Sequence, residues 1–467
     1  MPICIRVVTG IWILFCASAV SLAQRPNILL IVSDDQRPDT IHALGNEIIR
    51  TPHLDQLVRT GTTFTRATCA NPICTPSRAE ILTGCSGFRM GVRDFGGTID
   101  KTAPRMASWF AGNGYSTWYV GKWHNDGQPK DHGYQQTRGL FTGGGAKFAT
   151  PQIDFSGRPV TGYRGWIFRD RNGAPQPEKG VGLTGEISRH FTQAAIQAID
   201  DSMALDSPFF VHVNFTSPHD PLMIPPGWSD QYKPEDIPVP SNFLTQHPFD
   251  HGNFQGRDEQ LFQWPRTPEE TQRELAAYYA VISYMDSQIG QIQQHLRDLN
   301  LYQETIIVFT SDHGLAIGSH GLRGKQNMYE HTIGVPLIFT GPGIPEGQQS
   351  QVQCYLRDLF PTICELAGFE APVEEIDGRS LKSAVKGSED QIYPFVTGYF
   401  RDSQRMIRTE RWKYVEYPIV MKQQLFDLVN DPHERNDLSQ AIEYSDTLSD
   451  LRNQMTTYFS NFSNGFP

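Results

Sequence analysis

Asn27-Ile28-Leu29-Leu30-Ile31-Val32-Ser33-Asp34-Asp35 reads as a buried strand ending in two adjacent carboxylates. Its apolar, β-branched run lacks polar alternation, the pattern of a strand covered on both faces. Three other segments repeat the plan. Thr305-Ile306-Ile307-Val308-Phe309-Thr310-Ser311 leads into Asp312-His313-Gly314. Pro208-Phe209-Phe210-Val211-His212-Val213-Asn214-Phe215 leads into Ser217-Pro218-His219. Thr117-Trp118-Tyr119-Val120 leads into Gly121-Lys122-Trp123-His124. Open α/β sheets bind ligands beyond the carboxyl ends of their strands. Chance supplies one or two such endings; four, far apart in sequence, point to a single site.

Asp34, Asp35 and Asp312 form a costly cluster of like charges unless a cation lies between them. Their hard oxygens suit Ca²⁺ or Mg²⁺. His313 beside Asp312 leaves the ion's identity open, because imidazole also suits Mn²⁺ or Zn²⁺. The alternative for Asp34-Asp35 is helix capping after a strand.

Cys74-Thr75-Pro76-Ser77-Arg78-Ala79-Glu80-Ile81-Leu82-Thr83-Gly84 resembles the signature of the sulfatase family. In that family a Cys followed by X-Pro-X-Arg is oxidised after translation to formylglycine. A hydrated aldehyde offers geminal hydroxyls: one attacks the ester sulfur, and the other expels the bound sulfate. This is covalent catalysis with a nucleophile the genetic code does not supply directly. The bland alternative is a structural Cys beside a Pro turn, so the motif needs its structural context.

The resemblance implies roles for the residues above. Asp34, Asp35, Asp312 and His313 would hold one divalent ion, usually Ca²⁺, which also touches the residue formed from Cys74. The family more often has Asn where His313 stands. Arg78 would steady the formylglycine hydrate. Lys122 and Lys325, the latter in Leu322-Arg323-Gly324-Lys325-Gln326, would grip sulfate oxygens. His124 would take the proton that triggers sulfate elimination, and His219, sharing the task with Lys325, would serve the leaving oxygen. Sulfuryl transfer needs charge neutralisation on the equatorial oxygens and an in-line nucleophile, as phosphoryl transfer does. Taken singly, each cation also reads as a solvated surface residue and each His as a satisfied core residue.

A chain of 467 residues supports one large domain and a small one. An apolar fraction of 39% and a charged fraction of 19% are ordinary for a soluble enzyme. The net charge of -11, from 40 basic and 51 acidic residues, argues against a nucleic-acid surface. Residues 1–23 read as a signal peptide. Arg6 precedes the apolar Ile11-Trp12-Ile13-Leu14-Phe15-Cys16-Ala17, and Ser21-Leu22-Ala23 fits small-residue cleavage. An uncleaved anchor is the alternative. We expect export to the periplasm or medium, with no stable membrane insertion after cleavage. Of seven cysteines, cleavage leaves Cys69, Cys74, Cys85, Cys354 and Cys364. An odd count in a secreted chain suggests a special thiol. Converting Cys74 leaves four, which either form two bridges in one of three pairings or stay free and buried.

Pro268 to Leu301 reads as a long helix, with Leu275, Tyr278, Ile282, Met285, Ile289, Ile292 and Leu296 on one stripe. Gly139 to Lys179 and Asp236 to Pro268 read as long loops, the kind that set substrate choice over a rigid site. After Ser388, Arg405 to Arg408, Trp412 to Tyr417 and Gln424 to Leu428 read as strands before a last helix. The organisation is therefore α/β, with a catalytic domain over 24–385 and a small α+β subdomain over 386–467. The resemblance implies an alkaline-phosphatase-like α/β/α sandwich with a small C-terminal antiparallel sheet. It also implies a sulfated saccharide as substrate and a formylglycine-generating enzyme as maturation partner. Arg93, Asp94, Trp123, Arg323 and Tyr399 are candidate substrate contacts. Two other functions fit the same features: a formylglycine-dependent phosphonate monoester or phosphodiester hydrolase, and a secreted glycan-binding protein without turnover.

Overall fold

The computed structural model describes residues 25–462. The expected signal peptide, with Cys4 and Cys16, lies outside the described residues. The main sheet has nine strands. In spatial order they are Gln348–Ser350, Gly61–Phe64, Leu337–Thr340, Thr305–Ser311, Asn27–Ser33, Phe209–Asn214, Ser116–Lys122, Gln136–Thr142 and Ile167–Arg169. The four strands singled out in the sequence are spatial neighbours at its centre. They are mutually parallel, with Leu30 facing His212 on one side and Val308 on the other.

Strand Asn27–Ser33 shows why the run is apolar throughout. Ile28, Leu30 and Val32 pack into one core with Phe110, Phe210 and Ile363. Leu29 and Ile31 pack into another with Phe191, Met285 and Ile289. Helices Ile187–Met203 and Pro268–Asp298 cover the second face, making the α/β/α sandwich. Every residue of the expected stripe on Pro268–Asp298 is buried. Thr267 caps that helix by accepting a hydrogen bond from the Glu270 N–H.

Four antiparallel strands, Val396–Phe400, Gln404–Arg408, Trp412–Tyr417 and Lys422–Asp427, form the small C-terminal sheet, and helix Ser445–Ser460 packs on it through Leu451, Met455 and Phe459. One expectation needs correction. The 139–179 region is not all loop: Ile167–Arg169 adds an antiparallel edge strand to Gln136–Thr142, with Leu140 facing Arg169. Of the two outcomes left open for Cys69, Cys85, Cys354 and Cys364, the structure has the second: the five described cysteines are all free and buried. Burial pushes the Cys69 and Cys354 thiols well above their ordinary range, the state of inert core thiols.

Candidate active site

The four central strands end on one side of the sheet and deliver their terminal residues to a single buried cluster. The Asp34 N–H donates to the Ser217 carbonyl (3.0 Å). Asp35 follows with φ 64°, a left-handed conformation that Asp tolerates better than bulkier residues. That turn brings its N–H to Asp312 Oδ1 (3.1 Å). Asp34, Asp35 and Asp312 are all fully buried.

Cys74 is the first residue of helix Cys74–Thr83, whose ten residues are all buried. The helix is buried because it packs among Met106–Gly112, Leu356–Asp358 and Leu359–Leu366, with Ala79, Ile81 and Leu82 in one core with Phe360 and Ile363. Its N-terminal end, where the macrodipole favours negative charge, faces the cluster. Cys74 Sγ lies 3.6 Å from Asp34 Oδ1, 3.4 Å from His313 Nε2 and 3.5 Å from Lys325 Nζ. One turn on, Arg78 donates from Nε to Asp312 Oδ2 (3.0 Å) and from Nη1 to Asn214 Oδ1 (2.6 Å). Lys122, the last residue of its strand, reaches Asp34 Oδ2 at 2.6 Å. Lys325 reaches Asp35 Oδ1 at 2.8 Å and His219 Nε2 at 2.8 Å. His313 Nδ1 is 3.3 Å from Asp35 Oδ1. His124 lines the cavity above Cys74, edge-on to Trp166 with ring centres 5.0 Å apart. Its buried Nδ1 has no hydrogen-bond partner. The structure thus brings together every residue of the expected constellation.

The electrostatics follow from burial and these pairs. Burial pushes the Cys74 thiol up, but the Lys122 and Lys325 charges outweigh it and hold the thiol below its ordinary value. Burial also raises Asp312, and the Arg78 guanidinium overcomes it, so this carboxylate stays charged. Burial holds His219 well below the usual imidazole range, and Lys325 adds to the effect. Burial and Lys122 do the same to His124. Both histidines are held neutral; His124 keeps an unpartnered Nδ1, whereas His219 Nε2 is engaged by Lys325.

Two contacts were not singled out in the sequence. Tyr163 donates its hydroxyl to Asp34 Oδ2 (2.7 Å) and sets its ring edge-on to His219. Asn214, which receives Arg78, sits at a strand's carboxyl end and was open to the same logic that found the carboxylates. Of the candidate substrate contacts, three are buried away from the cavity. Trp123 packs edge-on to Tyr119. Arg323 is ion-paired to Glu274 (2.6 Å) and Asp220 (3.3 Å). Tyr399 packs against Phe88. Arg93 stacks over Phe88 instead. Asp94 holds Arg401, which does line the cavity.

The donor set fits a divalent cation. Ligand atoms of Asp34, Asp35 and Cys74 lie within 4.8 Å of one another, as do those of Cys74, Asp312 and His313. Burial pushes Asp35 well up despite Lys325 beside it, so this carboxylate is one a further cation would stabilise. His219 meets the same distance test, but its Nε2 is already engaged by Lys325.

The sulfatase family profile matches residues 26–369, and the N-sulphoglucosamine sulphohydrolase C-terminal profile matches residues 318–461. An arylsulfatase of Clostridium perfringens is 31% identical, over 92% of this chain and 93% of that enzyme. A choline-sulfatase of Rhizobium meliloti is 29% identical, over 89% and 83% respectively. Among solved structures, BT4656 in complex with its substrate D-glucosamine-2-N,6-O-disulfate superposes with a TM-score of 0.76 at 21% identity, covering 95% of this chain and 99% of that one. The phosphonate monoester hydrolase of Agrobacterium radiobacter gives a TM-score of 0.77 at 23% identity, covering 94% and 96%. The chain belongs to the sulfatase family, with the alkaline-phosphatase-like fold. It is a sulfuric ester hydrolase of a family that typically works through a modified cysteine and a metal ion.

Proposed function

We propose that the chain is an exported, Ca²⁺-dependent sulfatase that hydrolyses a sulfate ester on a carbohydrate, with Cys74 converted to formylglycine by a formylglycine-generating enzyme. The observation that carries this reading is the setting of Cys74 Sγ: at a helix N-terminus, within 3.6 Å of Asp34, His313 and Lys325. Export rests on the leader-like residues 1–23, and the subdomain division near 385 on the change to an antiparallel sheet.

In this reading Asp34, Asp35, Asp312 and His313 hold the ion. Their oxygen-rich set is what favours Ca²⁺. When bound, the ion would supply Lewis-acid charge, and the formylglycine would supply the nucleophilic hydroxyl. The chain's own residues do the rest. Lys122 and Lys325 converge on the space above residue 74 from opposite carboxylates and neutralise sulfate oxygens. Arg78 fixes Asp312 and Asn214 and would steady the formylglycine hydrate. Neutral His124, with an unpartnered Nδ1, accepts the proton released when sulfate is expelled. The Lys325–His219 pair sits where a leaving oxygen would depart and donates a proton to it. Phe95, Trp166 and Phe254 line a cavity of about 780 Å³, a volume that suits a saccharide, with aromatic faces for its apolar ring surface.

Phosphonate monoester hydrolases share the fold, so the deciding experiment pairs substrates. Aryl sulfate, aryl phosphonate monoester and aryl phosphodiester are assayed side by side, followed by defined sulfated saccharides. Dominant kcat/KM on sulfate supports the proposal. Dominant turnover of the phosphorus esters overturns it, and no turnover with intact folding points to a glycan-binding protein.

A further inference from the structure

The cavity beyond the reaction centre has a charge pattern of its own. At the centre, the carboxylates Asp34, Asp35 and Asp312 face the cations Lys122, Lys325 and Arg78. A sulfate ester brings one negative charge to that set. Further out, the lining offers two more cations, and neither is free. Arg257 is held by Asp220 at 2.7 Å and by Asp258. Arg401 is held by Asp94 through contacts of 2.8 and 3.2 Å.

Asp250 is the reverse case. It is exposed in the cavity wall. Its Oδ1 accepts backbone N–H bonds from Gly252 (2.8 Å) and Phe254 (3.5 Å). Among the described residues no cation pairs with it. The nearby His247 is kept neutral by burial, which lowers it to about 4. The one uncompensated charge of the outer wall is therefore negative.

A second anionic group on a substrate would have to displace Asp94 from Arg401 or two carboxylates from Arg257. It would otherwise sit unpaired near Asp250. Leaving a charge desolvated without a partner is costly, and like charges add to that cost. The half-exposed Arg401–Asp94 pair is individually weak, but a displaced Asp94 stays tethered beside the newcomer. A hydroxyl meets none of these penalties and can donate to Asp250 Oδ2.

We propose that the site selects sulfate esters whose remaining structure carries no second anion, with Asp250 as the specificity-determining residue that accepts a hydroxyl hydrogen and repels a second negative charge. This rests on the sulfatase reading above. The test uses a matched pair: an aryl sulfate bearing a remote carboxylate, and its methyl ester. The ratio between them is read as kcat/KM on wild type and as calorimetric affinity on the full-length Cys74→Ala protein. The expected wild-type preference is about two- to fivefold for the methyl ester, the scale of one exposed charge contact. Asp250→Asn narrows the ratio, and Asp94→Asn, which frees Arg401, narrows it further. A wild-type ratio near one or favouring the carboxylate overturns the proposal, as does a ratio that Asp250→Asn leaves unchanged. Failure of the sulfatase reading shows separately, as no sulfate release from either ester while the affinity ratio remains measurable.

Discussion

Lys325 Nζ lies 2.8 Å from His219 Nε2, while His219 Nδ1 faces the Asp220 carbonyl oxygen at 2.5 Å. The carbonyl only accepts, so Nδ1 carries the imidazole proton and Nε2 accepts from the lysine. Of the pair, Lys325 holds the proton to give. An activated aryl sulfate leaves as a stable phenolate and needs little acid help, whereas a sugar alkoxide needs much. Lys325→Met and His219→Ala should each lose about 100-fold more kcat on a saccharide sulfate than on an aryl sulfate. His124→Ala should slow both substrates alike, since its proposed task follows leaving-group departure. Steady-state kinetics on the two ester types checks this, and equal losses for all three variants would reassign the acid.

Glu274 lies behind that pair, on helix Pro268–Asp298. Its Oε1 takes Arg323 at 2.6 Å, two residues before Lys325. Its Oε2 takes Arg158 at 2.8 Å, on the segment that carries Tyr163. One buried carboxylate thus ties together the two segments that flank His219. Removing one partner of a buried pair costs about 3–5 kcal/mol. Glu274→Gln should therefore lower the unfolding midpoint and reduce kcat more than it raises KM. Thermal unfolding and Michaelis kinetics together read this. A lowered midpoint with unchanged kcat would make Glu274 purely structural.

Metal binding has a readout that does not depend on turnover. Asp35→Asn and Asp312→Asn each remove a charge from the oxygen-rich set and should reduce bound divalent ion, measured by elemental analysis. Wild-type protein should gain unfolding temperature when Ca²⁺ is added after chelation, because a ligand that binds the native state stabilises it. The two variants should gain less. A chelated wild type that is fully active and metal-free would remove the ion from the account.

The interface between the main and C-terminal sheets holds buried histidines. Burial lowers His247 to about 4 and His320 to about 3, against an unfolded value of about 6.5. The folded state keeps them neutral, so the unfolded chain takes up protons first as pH falls. Their stabilising contribution is complete above pH 6.5 and is lost as pH drops through the window down to about 4 and 3. At pH 5 each should cost about 2 kcal/mol. Denaturant unfolding at pH 7.5 and 5 should show the loss, and His320→Asn should flatten it. A slope unchanged in that variant would assign the loss elsewhere.

The parts of the site legible in the sequence are those at strand ends or within the Cys74 motif. Asp34, Asp312, Lys122 and His219 each follow a run whose periodicity is local, so their side of the sheet could be read without knowing the strand order. Tyr163 was hidden for the opposite reason. It lies in a glycine-rich stretch, and its contact with Asp34 spans 129 positions, so nothing local marks it. Arg323 misled because an arginine beside a proposed catalytic lysine looks like a ligand contact. The buried Glu274 that claims it comes from another element. The odd cysteine count suggested one special thiol but could not say whether the others pair: the four described thiols besides Cys74 fill apolar core positions, where a small hydrophobe serves as well as a bridge.

The central claim is that Cys74 becomes the working nucleophile by oxidation. The most direct test is peptide mass spectrometry of the segment containing residue 74, on protein co-produced with a formylglycine-generating enzyme and active on aryl sulfate. The account predicts an aldehyde at position 74, in a fraction that tracks specific activity across preparations, and a folded, inactive Cys74→Ala variant. Full activity in protein whose Cys74 remains entirely a thiol would contradict it.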